Sequence, residues 1–420
     1  MRFLFIHQNF PAQFVHLAPA LVGQGHEVVA LGTQRPRARM PGVRVLNHRP
    51  VPPAPADAQG DGFTQEWAAK RARAESAAAA MTALKTEGFM PDVVFGHPGW
   101  GEMLYARDVF PSSRHLVFAE YYYGTDGGDS FFDPEFQRGP PDLAALQRVR
   151  LKNTHLLHAL ASCDEAVAPT AFQKSRHPAA FLDRIRVIHD GIDTDLFQPN
   201  PQASVKLQQA GVELKPGDEV VTFVARQLEP YRGYHSFMRS LQRLQRLRPH
   251  ARVVIVGGND TAYGAQPPAG QTWKGIFLDE VKDALDMTRV HFVGQLPHPV
   301  LQQLLQVSAV HTYLTYPFVL SWSMLEAMSQ GALLVASRTA PVQEVIEHGH
   351  NGLLVDFFDH QALADTLADA LERRAELQPL RQAARQTVVQ RYDLRRVCLP
   401  AMLAFAQGGP GKAHADSRSR

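Results

Sequence analysis

The sequence predicts an α/β protein built as two doubly wound, parallel-sheet domains. Three observations carry this: a length of 420 residues, a repeated alternation of short apolar runs with helical patterns, and a polar break near the middle after which the alternation starts again. A chain of this length exceeds what one hydrophobic core ordinarily supports. Short runs apolar on both faces and bounded by turn residues are what a parallel sheet covered by helices requires.

The first run is residues 3–6 (FLFI), followed by a polar loop and by helical spacing over 14–21, closed by Gly23 and Gly25. Residues 26–31 and 43–46 are the next strands, before a Pro- and Ala-rich loop over 51–59 and a long helix over 64–87. Runs at 91–95, 116–118 and 165–167 continue the alternation, and 185–188 ends the first half. The Gly- and Asp-rich stretch 124–129 opens near a strand's carboxyl end, where such sheets bind ligands. In the second half the strands fall at 220–224, 252–256, 290–293, 309–313, 333–335 and 352–355. The expected organisation is a domain over 1–190, a linker over 191–200, a second domain over 201–387, a C-terminal helix over 388–407 that packs back on the first domain, and a disordered tail over 408–420.

A balance of 43 Lys plus Arg against 41 Asp plus Glu gives no reason to expect nucleic acid as a partner. Cys163 and Cys398 form neither a metal-ligand spacing nor a disulfide framework, and both read as small core residues. The apolar start is too short for a signal-peptide core and no run is long enough to span a bilayer, so the expected location is the cytoplasm. Arg239, Arg243, Arg246 and Arg248 make a basic stretch with two readings: a solvated helix face, or peripheral contact with anionic lipid at the inner membrane face.

Three places in the second half carry chemistry. Arg226 and Arg232 stand at a strand's carboxyl end, and guanidinium groups replace the solvation of a diphosphate with directional hydrogen bonds. Residues 321–331 (SWSMLEAMSQG) form a short helix whose N-terminus offers free N–H groups beside the loop 316–320; Ser323, Glu326 and Gln330 share one polar stripe. Gly257 and Gly258 follow one strand, and Gly294, Gln295 and Leu296 another, letting backbone approach a ligand. In the first half, His97 (in GHPGWG) and Glu120 (before three tyrosines) lie just after strands, and an unpaired buried carboxylate is costly enough to favour a ligand-facing role for Glu120.

Taken together, these residues resemble glycosyltransferase family four, whose members are retaining enzymes of the GT-B fold, two Rossmann-like domains facing a cleft. The resemblance rests on five ordered blocks: 187–199 (VIHDGIDTDLFQP), 225–233 (ARQLEPYRG), 290–294 (VHFVG), 325–328 (LEAM) and 344–355 (EVIEHGHNGLLV). The opening HQNFPAQF at 7–14 is similar to a subgroup lacking the usual paired-glycine loop. The resemblance implies transfer of a sugar from a nucleotide sugar, UDP- or GDP-linked, to a carbohydrate, lipid-linked or protein acceptor in polysaccharide or glycoconjugate synthesis. It implies no other cofactor. By it, Arg226 and Arg232 neutralise the donor diphosphate, Glu326 binds the ribose with Gln295, Leu296 and Leu325 holding the nucleoside, and Phe318, Val319, Leu320, Ser321 and Ser323 meet the donor sugar. Glu120 and His97 become the catalytic candidates. Two departures stand out: Arg232 replaces the usual lysine, and Phe318 stands where the family commonly has a second glutamate eight positions before Glu326. Asp193-Thr-Asp195 matches a metal motif of the other main transferase fold but lies inside the 187–199 block, so no metal is assigned. The alternatives are a sugar-nucleotide epimerase on the same fold and a non-catalytic nucleotide-sugar-binding homologue.

Overall fold

The computed structural model describes residues 1–34, 40–52, 62–137, 139–208 and 211–408. Most of the loop expected at 51–59 and of the tail expected at 408–420 lies outside them. The chain divides into two compact units. The first comprises Met1–Asp126, Pro134–Asp190 and the described residues from Arg395; the second comprises Gly191–Leu394 together with Gly127–Asp133.

The first unit holds a seven-stranded sheet of β1 (Arg2–Ile6), β2 (Glu27–Gly32), β3 (Val43–Asn47), β4 (Val93–Gly96), β5 (Arg114–Phe118), β6 (Glu165–Ala168) and β7 (Ile185–Val187), in the order β3-β2-β1-β4-β5-β6-β7. Every pairing is parallel. Alternation along β1 explains how one strand serves two faces. Leu4 and Ile6 enter a core with Val29, Met81 and Val117, while Phe3 and Phe5 enter another with Phe14, Phe95 and Phe118. The second core is completed from the end of the chain: Met402, Phe405 and Ala406 of the helix Leu399–Gln407 are part of it. Arg114 donates to the Phe405 and Ala406 carbonyls at 3.1 Å, satisfying groups that the helix end leaves open.

The second unit starts with a hairpin of β8 (Val205–Leu207) and β9 (Val212–Leu214). Its six-stranded sheet contains β10 (Val220–Gln227), β11 (Arg252–Gly258), β12 (Val290–Gly294), β13 (Val310–Tyr313), β14 (Leu333–Ser337) and β15 (Leu353–Val355), in the order β12-β11-β10-β13-β14-β15. All are parallel. Each large sheet therefore reverses its winding beside its first strand, between β1 and β4 in one and between β10 and β13 in the other. Chains leaving the carboxyl ends of such a strand pair diverge to opposite faces and open a crevice, which is where open α/β sheets take ligands.

Two expected elements differ. The helix expected over 14–21 is a 3-10 turn at Ala12–Phe14 followed by a helix at Leu17–Gly23. The single helix expected over 388–407 is broken. One helix ends at Arg391, then Ile192 N–H donates to the Tyr392 carbonyl at 2.8 Å, and Leu394 N–H donates to the Ile192 carbonyl at 2.8 Å. This short bridge takes over backbone groups that helical bonding would otherwise use, and the Asp393 carboxylate accepts from the Thr194 hydroxyl. Cys163 and Cys398 are buried free thiols. No helix among the described residues is long and apolar enough to cross a membrane.

Candidate functional site

In the second unit the predicted residues gather at the carboxyl edge beside the β10/β13 reversal. Arg226 is exposed near the end of β10 and forms no ion pair among the described residues. Its carbonyl accepts from Gln295 Nε2 at 3.4 Å, so the end of β10 and the segment after β12 meet there. The turn after Gln295 and Leu296 runs into the helix His298–Val307. The His298 ring lies 3.6 Å from the Glu326 carboxylate, which is itself nearly buried at 8% exposure. Glu326 raises the His298 pKa above its ordinary value, outweighing partial burial of the ring. Arg226, Gln295, His298 and Glu326 thus form one chain of neighbours.

Arg232 belongs to a second chain. Its guanidinium is buried and donates from Nη1 to Thr315 Oγ1 at 2.8 Å, the Val319 carbonyl at 3.1 Å and the Tyr313 hydroxyl at 3.3 Å. It also lies over the Tyr263 ring, 5.2 Å from the centroid. Tyr313 passes the link onward, its hydroxyl accepting from Ser321 N–H at 2.8 Å. Ser321 and Ser323 share a hydrogen bond between hydroxyls at 2.9 Å. Gly233, at φ +67°, closes the Arg232 turn, and a Cβ there would meet Leu314 Cβ at 2.4 Å, so only glycine fits.

The remaining predicted residues fall in different environments. Phe318 is buried with its ring edge-on to Tyr231 at 5.6 Å and Tyr263 at 5.3 Å, so an aromatic wall stands where the family commonly has an acid. Leu320 and Leu325 are core residues, and Leu296 packs on a hydrophobic cluster, which leaves their backbone as the polar part. The glycine pair ends β11, and Gly257 serves packing there: a Cβ on it would meet Leu228 at 2.6 Å and the Ala225 carbonyl at 3.0 Å. Asp193 accepts from Leu196 N–H at 3.1 Å and caps a turn.

In the first unit, His97 and Glu120 come together beside the β1/β4 reversal. Gly99 N–H donates to His97 Nδ1 at 3.0 Å, which leaves the ring's Nε2–H facing Glu120 Oε2 at 3.3 Å. The other carboxylate oxygen accepts from Gln13 Nε2 at 2.8 Å. Both oxygens are held, and the side chain keeps 30% exposure. His7 and Trp100 pack against His97 with ring centroids 5.2 and 4.8 Å away. Burial, then the nearby His97 ring, holds the His7 pKa down at about 3. A carboxylate fixed by two donors yet still open to solvent can accept a hydrogen bond from a hydroxyl without reorganising.

Sequence reasoning missed Gln13, Glu229, Tyr231, Tyr263 and His298. Glu229 is fully buried and accepts from the N–H groups of Ala262, Tyr263 and Gly264 at 3.2–3.3 Å, which seats Tyr263 over Arg232. A buried acid between two site arginines was the available signal. The basic stretch on the helix Tyr234–Leu247 and just beyond it is largely ion-paired: Arg239 with Glu280, Arg243 with Asp365 and Arg248 with Glu219. This matches a solvated face.

Residues 24–197 match the family described as Glycosyl transferase family 4 group, and residues 206–387 match Glycosyl transferases group 1. Among curated proteins, the D-inositol 3-phosphate glycosyltransferase of Corynebacterium urealyticum is 28% identical over 243 residues, covering 55% of this chain and 54% of that one. The one from Corynebacterium efficiens is 27% identical over 198 residues, covering 47% and 45%. The chain thus spans about half the length of the curated relatives it matches. Among solved structures, sucrose-phosphate synthase from Thermosynechococcus elongatus superposes with TM-score 0.70 at 18% identity, covering 97% of this chain and 98% of that one. Anabaena HepE, solved with UDP and glucose, superposes with TM-score 0.65 at 17% identity, covering 97% and 100%. The fold is that of the GT-B transferases, and the two halves of the chain carry one glycosyltransferase match each, the family 4 group in the first and group 1 in the second.

Proposed function

We propose that this chain transfers a sugar from a nucleotide-sugar donor to the hydroxyl of an acceptor, with retention of anomeric configuration. The observation that carries the reading is the convergence of Arg226, Arg232 and the Ser321–Glu326 helix start at the β10/β13 reversal. Arg226 supplies an exposed guanidinium for the diphosphate and Arg232 a buried, hydrogen-bonded one. Glu326 accepts from the ribose hydroxyls, the backbone at Gln295 and Leu296 meets the base, and Ser321, Ser323 and the 318–320 turn meet the sugar. As the bond from the anomeric carbon to the diphosphate oxygen breaks, negative charge grows on the leaving group, and the arginines and helix N-terminus are placed to stabilise it. Glu120, steadied by Gln13 and His97, takes a hydrogen bond from the acceptor hydroxyl.

UDP is the favoured carrier because HepE was solved with UDP; GDP is the alternative. The cytoplasm remains the proposed location, and a carbohydrate, lipid-linked or protein hydroxyl the proposed acceptor. The test is thermal stabilisation by UDP, GDP and their sugars without added metal. Wild type is stabilised by one nucleotide family, and both Arg226→Ala and Glu326→Ala lose most of that shift. No stabilisation by any nucleotide would sink the reading, and an inverted product by NMR would remove retention.

A further inference from the structure

The segment Gly127–Asp133 is numbered within the first half of the chain but packs as part of the second unit. Asp129 Oδ2 accepts from the Tyr231 hydroxyl at 2.7 Å, and Asp133 Oδ2 accepts from the Tyr316 hydroxyl at 2.7 Å. Asp133 Oδ2 also lies 3.1 Å from His235 Nε2. Both aspartates are about 4% exposed. Between them the Phe132 ring packs on Tyr316, Phe357 and Phe358 at 5.0–5.3 Å. Phe131 is held at φ +61°, a strained conformation for a bulky residue that persists only when flanking contacts over-determine it.

The two tyrosines occupy special positions. Tyr231 precedes Arg232 in the segment after β10, and Tyr316 lies in the segment after β13 that carries Phe318 to Ser321. Their rings are 4.6 Å apart, and Tyr316 N–H donates to the Tyr231 carbonyl at 3.0 Å. The segments flanking the sheet reversal are thus joined to each other directly and held from outside by one pair of carboxylates. A phenol whose hydroxyl is tied to a buried carboxylate cannot swing without breaking a charge-assisted hydrogen bond inside the protein, which is costly.

We propose that Asp129 and Asp133 are positioning residues of the donor site, setting the separation of the segments that carry Arg232 and Ser321. The proposal rests on the donor-site reading above. They touch no donor atom; they act through Tyr231 and Tyr316. The consequence is that donor recognition depends on a strap of seven residues supplied by the other half of the sequence.

The experiment is UDP binding by calorimetry to the full-length chain, with GDP in parallel, alongside the melting temperature of each ligand-free variant. Asp129→Ala, Tyr231→Phe and Asp133→Ala each weaken nucleotide binding about tenfold, since small misplacements of positioning groups have large effects. Asp129→Asn, which keeps an oxygen acceptor for the phenol, recovers most of the affinity. A purely structural role would lower the melting temperature and leave the dissociation constant alone, overturning the proposal; tighter binding on loss of either aspartate would overturn it too. If Asp133→Ala does not fold, Asp129→Ala and Tyr231→Phe decide the matter. Arg226→Ala separates the two readings. Binding lost there but intact in the strap variants refutes the strap alone; binding of neither nucleotide by wild type refutes the donor site and the strap with it.

Discussion

Glu326 and His298 share one charge across 3.6 Å, and the sign of that sharing is testable. The neighbouring carboxylate raises the His298 pKa in the folded protein against the opposing effect of burial. A histidine whose folded pKa exceeds its unfolded one contributes stability in full below pH 6.5 and loses it as pH rises through the raised value. The melting-temperature gap between wild type and His298→Gln is therefore largest near pH 6 and closes toward pH 8.5. A gap independent of pH would mean that the ring acts only by packing on Phe197, 5.2 Å away. Arg226 and Glu326 were visible in the sequence because each sits in a short block whose neighbours mark a strand end or a helix start. Gln13 was not, because it lies 107 residues from Glu120 and becomes its neighbour only through the β1-β4-β5 order. Phe318 was conspicuous as a departure, but its aromatic setting depends on Tyr263, placed there by a carboxylate bonded to backbone from a distant turn.

Elements were legible where their pattern is local and less so where they end. The strands of both sheets showed as apolar runs because parallel strands are covered on both faces. The break at Tyr392 and Asp393 did not, because it is made by pairing with Ile192, about two hundred positions away, although Pro400 in the first turn of the next helix was a local sign of a new start. The resulting helix Leu399–Gln407 has a measurable function in the first core. Phe405 is 1% exposed and packs 5.8 Å from Phe95. Phe405→Ala should cost about 3–5 kcal/mol of stability, since it removes a buried ring from a close-packed core. Denaturant unfolding followed by a probe in the first unit checks this; a loss below about 1 kcal/mol would show the helix to be an ornament.

Across the molecule, buried neutral histidines set an acid limit. Burial holds His7 and His311 at about 3 and His48, His155 and His189 at about 4, with Arg73 adding to the effect at His48 and Lys70 at His155. These values lie below the unfolded 6.5, so the unfolded chain binds protons that the native chain refuses. Stability from this source is full above pH 6.5 and falls as pH drops toward the folded values. The melting temperature should decline by more than about 5 °C between pH 7 and pH 4.5, with proton uptake on unfolding at pH 5.5; a flat profile with no uptake would contradict it. The two-sheet plan followed from length and alternation, whereas strand order, and with it the reversal where the site residues meet, is not encoded in any local pattern.

The return of the chain to its first sheet also fixes a timetable. On the ribosome the first seven strands emerge early, yet Met402, Phe405 and Ala406 follow only after the whole second unit. The aromatic face formed by Phe3, Phe5 and Phe95 therefore has only its N-terminal cover, from Phe14, Leu17 and Leu21, while the second unit is translated, an interval in which partly exposed apolar surface favours aggregation.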